Sequence, residues 1–138
     1  VNCNDDNACT IDSCDPVTGG CLHTPVSIGG VPGLVFTSKT AMTWGAVSGA
    51  SFFDTYRGTI PAGGLGSRPP AGPLYDQTCF EFGDSHGDGA MISTDMAIPP
   101  VGTGFYYLVS EVVPCGEGPI GSDSNGTLIP NASPCPLP

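Results

Sequence analysis

The N-terminal segment 3–21, CNDDNACTIDSCDPVTGGC, combines two kinds of side chain that bind metal ions. It contains four cysteines and four aspartates, and it contains no Lys or Arg. Cysteine thiolates suit zinc, whereas carboxylate oxygens suit calcium. The sulfurs therefore either bind a metal or form disulfides, and in the second case the carboxylates are left to hold a cation.

The cysteine spacing favours disulfides over zinc. Successive cysteines in this segment are separated by five, four and six residues, and none forms the C-x-x-C pair common in structural zinc sites. Seven cysteines in 138 residues are typical of a chain that folds in an oxidising compartment. The four N-terminal cysteines allow three pairings, of which we favour Cys3–Cys14 and Cys9–Cys21.

The crowded oxygen donors of this segment predict a calcium site. A loop held by disulfides keeps its carboxylates close together, and a cation with six to eight oxygen ligands relieves their repulsion. The alternative is that these residues serve turns and caps, which Asp and Asn also favour. The candidate ligands are Asp5, Asp6, Asn7, Asp12 and Asp15.

A weaker calcium candidate lies in the segment 84–95, DSHGDGAMISTD. Asp84, Asp88 and Asp95 occupy positions 1, 5 and 12 of an EF-hand-like loop. Position 3 is His86, a poor calcium ligand, and position 12 is Asp instead of the longer Glu. Since no flanking helices are predicted, a polar hairpin loop is the favoured interpretation.

Patterns that would indicate catalysis are weak. His86 could act as a general base beside Asp84 or Asp88, but the neighbouring Ser85 has no oxyanion-hole context that would make it a nucleophile. Pairs of acids occur in glycosidases, where the separation of the carboxyl groups decides the chemistry, and a sequence does not give that separation. We therefore expect no enzyme.

The charge balance excludes several partners. Three Lys and Arg against 13 Asp and Glu give a net charge of −10, which repels nucleic acids and anionic membranes. No apolar run reaches the roughly 18 residues of a membrane span, so we expect no membrane insertion. The chain starts at Val1 without an initiator Met, which we interpret as a secreted chain whose signal peptide has been removed.

Hydrophobic periodicity predicts an all-β fold. In SFFDTYRGTI, Phe53, Thr55 and Arg57 alternate with side chains of the opposite face. No window of helical length sustains a 3.6-residue period, so we expect almost no helix. Six or seven short strands between turns rich in Gly and Pro indicate a β-sandwich.

Composition divides the chain into four parts. The first has almost no large apolar side chain, so cross-links must replace a core there. The predicted parts are a disulfide-rich, loop-like arm (1–25), a connector (26–33), the β-sandwich (34–130) and a C-terminal tail (131–138).

Two stretches of the sandwich region carry a family resemblance. They are MTWGAVSGASFFDTYRG, which contains the only Trp, and GTGFYYLVSEVVPCGEGPIGSDSNGT. They resemble the fibronectin type III-like domain of secreted bacterial proteins, which implies a fibronectin type III or immunoglobulin-like β-sandwich. The resemblance also implies a disulfide between Cys79 and Cys115. Cys135 would then be unpaired or bonded to another molecule.

The arm follows the pattern C-x-D-x-N-x-C-T-x-D-x-C-D-x-x-x-G-x-C-x-H-x-P over residues 3–25. This pattern resembles the short cysteine repeat of slime-mould surface proteins and bacterial extracellular proteins. The resemblance implies a non-catalytic, secreted, modular protein, and it identifies no ligand. N-glycosylation sequons at Asn125 (N-G-T) and Asn131 (N-A-S) add the prediction of a glycoprotein.

The expected function is that of a structural subunit in an extracellular filament or surface layer. The odd cysteine and the open edges of a sandwich favour head-to-tail contacts between copies, which build open filaments. The alternative is an adhesin or a carbohydrate-binding accessory module of a larger secreted protein. In that case exposed aromatic side chains, such as Tyr75 or Phe82, would stack on glycans.

Overall fold

The chain folds into strands and turns with almost no helix, which confirms the all-β prediction. A computed structural model describes residues 2–68 and 74–137. Within these residues the helical content is one turn of 3-10 helix, Leu65–Ser67. The strands are β1 (Thr10–Cys14), β2 (Cys21–Pro25), β3 (Val35–Phe36), β4 (Ala41–Thr43), β5 (Phe52–Ile60), β6 (Thr78–Phe82), β7 (Ile92–Thr94), β8 (Gly104–Val113) and β9 (Gly116–Glu117).

The arm is a β-hairpin, so the prediction of a loop-like arm was wrong in its secondary structure. Strands β1 and β2 pair antiparallel from Thr10 opposite Pro25 to Cys14 opposite Cys21. The carboxylate of Asp15 accepts hydrogen bonds from Val17 N and Thr18 Oγ1 and so fixes the connecting turn. Both strands are mostly exposed and polar, and for that reason hydrophobic periodicity does not reveal them.

The remaining strands form two antiparallel sheets that pack face to face. One sheet has the order β3-β4-β7 and the other has the order β6-β5-β8-β9. Met42, Phe53 and Val109 come from both sheets and are buried together between them, with Trp44 beside them. The predicted alternation in β5 is confirmed, because Thr55 and Arg57 also point towards β7, where they bind Ser93 and Asp95.

The outer face of the four-stranded sheet is covered by the C-terminal segment. Ile120, Ile129 and Cys135 pack on Tyr56 of β5 and form a second buried cluster. The segment 131–138 is therefore not a separate tail over its described residues, since Cys135 is buried against the sheet. The apolar residues that do this are few and widely spaced, so the sequence pattern does not reveal the layer.

The described residues form three disulfides, two of which connect different parts of the fold, and their pairing differs from the predicted one. They are Cys3–Cys21 within the arm, Cys9–Cys115 between the arm and the turn after β8, and Cys79–Cys135 between β6 and the C-terminal segment. The predictions Cys3–Cys14, Cys9–Cys21 and Cys79–Cys115 were wrong, as was the prediction that Cys135 lacks an intramolecular partner. Cys14 is exposed at the end of β1.

The geometry of the strands explains two of the wrong pairings, Cys9–Cys21 and Cys79–Cys115. The hairpin continues beyond β1, where Val26 N donates to Cys9 O, so that Cys9 lies several residues away from Cys21 along the hairpin. Strand β5 lies between β6 and β8, so Cys79 of β6 is about 10 Å from β8, the strand that leads into Cys115. The Cα atoms of a disulfide lie within about 7 Å of each other, so Cys79 cannot reach Cys115.

Candidate functional sites

The arm brings two of its five predicted calcium ligands together, with a histidine between them. Asp12 and His23 are opposite each other in the hairpin, and Asp5 lies in the segment that precedes β1. Nδ1 of His23 is 2.7 Å from Asp12 Oδ1 and 3.4 Å from Asp5 Oδ2. One donor atom from each of Asp5, Asp12 and His23 lies within 4.8 Å of the other two, so the three side chains could also hold a cation together.

Protonation couples these groups electrostatically. The hydrogen bond to Asp12 raises the pKa of His23 above its usual value, and the same bond lowers the pKa of Asp12. A protonated imidazole thus offsets the carboxylate charge of this cluster. A calcium ion in the arm stays a prediction.

The other three predicted arm ligands serve local turns. The Asp6 side chain accepts a hydrogen bond from Asn4 Nδ2, and Asn7 Oδ1 accepts one from Cys9 N. Asp15 caps the hairpin turn, and its bonds to Thr18 and Val17 lower its pKa. This is the turn-and-cap role that the sequence left open as the alternative.

A second acidic cluster lies at the connection between β6 and β7. One carboxylate oxygen from each of Glu81, Asp84 and Asp88 lies within 4.8 Å of the other two. Glu81 is 1% exposed. Its Oε1 accepts a hydrogen bond from His86 N at 3.1 Å, and its Oε2 accepts one from Ser93 Oγ at 2.5 Å.

Asp95 does not belong to this cluster, so the predicted ligand set of Asp84, Asp88 and Asp95 was wrong in that member. Asp95 Oδ2 is 2.7 Å from Arg57 Nη1 and 2.8 Å from the Tyr107 hydroxyl. Burial raises the pKa of Asp95, but these partners and the Ala97 N–H outweigh burial and hold it below its usual value. Asp95 directly follows β7 and lies between the sheets, where it neutralises Arg57.

Glu81 is the member of the cluster that the sequence analysis missed. It is the only acidic residue in the strand segment TCFEF, and its neighbour across the ladder in β5 is the inward-facing Thr55. A Glu at an inward-facing strand position is costly unless it is paired. The inward-facing position of Glu81 in the strand could therefore have identified it as a site residue from the sequence.

Buried polar groups also fix the C-terminal layer to the sheet. The Tyr56 hydroxyl donates to Glu117 and accepts hydrogen bonds from Asn131 Nδ2 and Cys135 N, both at 3.0 Å. Burial and the bond to Glu117 raise the pKa of Tyr56 to about 12. Burial likewise raises the pKa of Asp54 to about 6, against a bond from Gly83 N that lowers it.

The two sequons differ in accessibility. Asn125 is exposed in a turn whose N–H groups bind Asp123 Oδ1. The side-chain nitrogen of Asn131, to which a glycan would be attached, instead donates to Tyr56 and Glu117. Glycosylation at Asn125 stays a prediction, whereas a glycan at Asn131 is incompatible with these contacts.

Comparison with known proteins identifies the arm alone. A family model described as the Dictyostelium (slime mold) repeat matches residues 2–26, which confirms the resemblance inferred for residues 3–25. No curated protein matches the chain, and no solved structure does. The repeat and the disulfides indicate a protein of extracellular or cell-surface type. In the described residues, no helix has the length and hydrophobicity that crossing a bilayer requires.

Proposed function

We propose that this chain is a non-catalytic structural module of an extracellular protein, and that copies of it assemble into a filament or surface layer. The observation that carries the proposal is the position of the disulfides. Cys9–Cys115 and Cys79–Cys135 attach the N-terminal hairpin and the C-terminal segment to the sandwich. Cross-links of this kind make a small unit resistant to unfolding outside the cell.

The sandwich is proposed to be of the fibronectin type III or immunoglobulin-like kind. In immunoglobulin constant-type domains, the first, second and fifth strands are neighbours, and so are the third, sixth and seventh. If the strands of the sandwich are counted from β3, the order β3-β4-β7 joins its first, second and fifth strands, and the order β5-β8-β9 joins its third, sixth and seventh. The fourth strand, β6, pairs with β5 here instead of joining the other sheet. Such domains commonly serve as rigid spacers and adhesive units on cell surfaces.

Self-assembly is supported by an exposed apolar segment between β7 and β8. Met96, Ile98 and Val101 are 75%, 89% and 104% exposed. Large apolar side chains so close in sequence and so fully exposed are typical of interaction surfaces. Because Cys135 is bonded within the chain, assembly would proceed through this segment without an intermolecular disulfide at Cys135.

Light scattering and electron microscopy test the assembly. We expect the oxidised protein to form concentration-dependent oligomers, and the double variant Ile98→Ser, Val101→Ser to remain monomeric at the same concentration. The matched control is Val17→Ser, which removes an equally exposed apolar side chain from the arm turn and should assemble like the wild type. A wild-type protein that stays monomeric and gives no periodic structure would overturn the proposed assembly.

The carbohydrate-binding alternative has less support. Tyr75 packs edge to face against Tyr106 and joins the second buried cluster. Phe82 is 42% exposed. Binding to a glycan array that is lost in Phe82→Ala would favour this alternative over assembly.

A further inference from the structure

Glu81 is an acidic side chain that is almost completely buried from solvent. It lies near the end of β6 and faces Ser93 of β7, which is itself completely buried. Its two oxygens each accept one hydrogen bond, from His86 N and from Ser93 Oγ. Each oxygen has a further lone pair, and neither donor carries a full charge that would neutralise the carboxylate.

Asp88 is less well satisfied still. Both of its carboxylate oxygens are buried, and among the described residues neither has a hydrogen-bond donor. A buried carboxylate without donors is among the most costly arrangements in a folded protein. The Asp88 oxygens are therefore open to a partner from outside the polypeptide, either water or a cation.

The turn itself is shaped so that Asp88 folds back towards Glu81. Asp84 Oδ1 accepts a hydrogen bond from Gly89 N, which closes the turn around Asp88. Gly89 has a φ of +126°, and a Cβ there would lie 2.8 Å from Ile92 Cγ2. Only glycine fits this position without strain, so the turn that contains Asp84 and Asp88 depends on Gly89.

The charge of the cluster is not balanced by neighbouring side chains. In the part of the chain that the structure describes, His86 is the only basic residue that forms an ion pair with any of the three carboxylates. One imidazole, whose side chain is 39% exposed, cannot offset three carboxylates. A divalent cation would supply the missing charge and the missing partner for Asp88 at once.

The donor atoms of the cluster are all carboxylate oxygens, which suit calcium. One oxygen from each of Glu81, Asp84 and Asp88 lies within 4.8 Å of the other two. Two oxygens that share one calcium ion at about 2.4 Å are separated by at most about 4.8 Å, so the three oxygens can share one ion. Mg²⁺ requires shorter bonds and a stricter octahedron, and zinc prefers nitrogen and sulfur ligands.

We infer that the β6–β7 turn binds one calcium ion through Glu81, Asp84 and Asp88. The inference does not depend on self-assembly, and it replaces Asp95 of the sequence-based ligand set with Glu81. The ion would tie the end of β6 to the turn that leads into β7, and so would connect the two sheets at this edge of the sandwich.

Calorimetry on the full chain tests the site with Ca²⁺ alone as the probe. After removal of metals with a chelator, we expect the wild type to bind one equivalent of calcium and its Tm to rise by about 3–6 °C at saturation. In Asp88→Asn the calcium-dependent rise in Tm should disappear. The same variant should be at least as stable as the wild type in chelator, because it removes an unpaired buried charge.

Two further variants keep the result interpretable. Glu81→Gln should weaken calcium binding by about tenfold or more, since it removes one of three charged ligands. Asp123→Asn removes a charge from a turn remote in sequence, keeps an acceptor oxygen for that turn, and should bind calcium like the wild type. The inference is overturned if the wild type shows neither binding heat nor a Tm shift. It is equally overturned if Asp88→Asn binds like the wild type while Asp12→Asn, in the arm, loses binding.

Discussion

Removal of the Cys9–Cys115 disulfide is predicted to destabilise the protein more than removal of the disulfide within the arm. The bond joins residues with a sequence separation of 106, whereas Cys3 and Cys21 are separated by 18. In the chain-entropy treatment these loops correspond to about 4.8 and about 3.2 kcal/mol. Because Cys79–Cys135 already shortens the path between Cys9 and Cys115 in the unfolded chain, the increment for Cys9–Cys115 becomes about 4.6 kcal/mol. That is a large fraction of the stability of a small domain.

The assay is equilibrium unfolding in urea, followed by tryptophan fluorescence. Trp44 is buried between the sheets and therefore reports on the sandwich itself. We expect the double variant Cys9→Ser, Cys115→Ser to lose about 4–5 kcal/mol, and Cys3→Ser, Cys21→Ser to lose less. The reasoning is refuted if the first variant loses under about 1 kcal/mol, or if the order of the two variants is reversed.

Three further predictions concern buried or paired polar groups. The pKa of Asp54 is raised to about 6, so between about pH 4 and 6 the folded state holds a proton that the unfolded state has lost. The free energy of unfolding should therefore fall as pH rises from about 4 to 6. In urea unfolding, Asp54→Asn should remove this pH dependence and stabilise the protein by about 1–2 kcal/mol at neutral pH. Because the pKa of His23 is raised, its pairing with Asp12 stabilises the arm below pH 6.5, and this stabilisation is lost as pH rises through the folded-state pKa. An NMR titration of the His23 ring should therefore have a midpoint above 6.5. A midpoint at or below 6.5 would contradict the pairing. Tyr56→Phe removes the hydroxyl that serves Glu117 and two nitrogen donors, and thermal unfolding should show a loss of about 2 kcal/mol, whereas a loss below about 0.5 kcal/mol would mean that water replaces it.

The parts of the fold that follow from local pattern could be predicted from the sequence. The alternation of Phe53, Thr55 and Arg57 with the opposite face of β5 identifies the inward side chains, because a strand has a period of two. The turn-rich composition excludes long helices for a similar local reason. The repeat pattern in residues 3–25 likewise identifies the arm.

The parts that depend on contacts distant in sequence could not be predicted. Cys9 and Cys115 meet because the hairpin lies against the turn after β8, and nothing in the spacing of cysteines encodes that contact. Glu81 joins Asp88 because β6 ends beside the turn. An EF-hand-like spacing instead includes Asp95, which directly follows β7 and binds Arg57.

Disulfide mapping by mass spectrometry tests the central claim most directly. The protein is digested without reduction after its accessible thiols have been blocked, so that only existing bonds are seen. We predict cross-linked peptides that contain Cys9 with Cys115 and Cys79 with Cys135. These four residues recovered as blocked thiols, or paired in another order, would contradict the account of one covalently connected extracellular module.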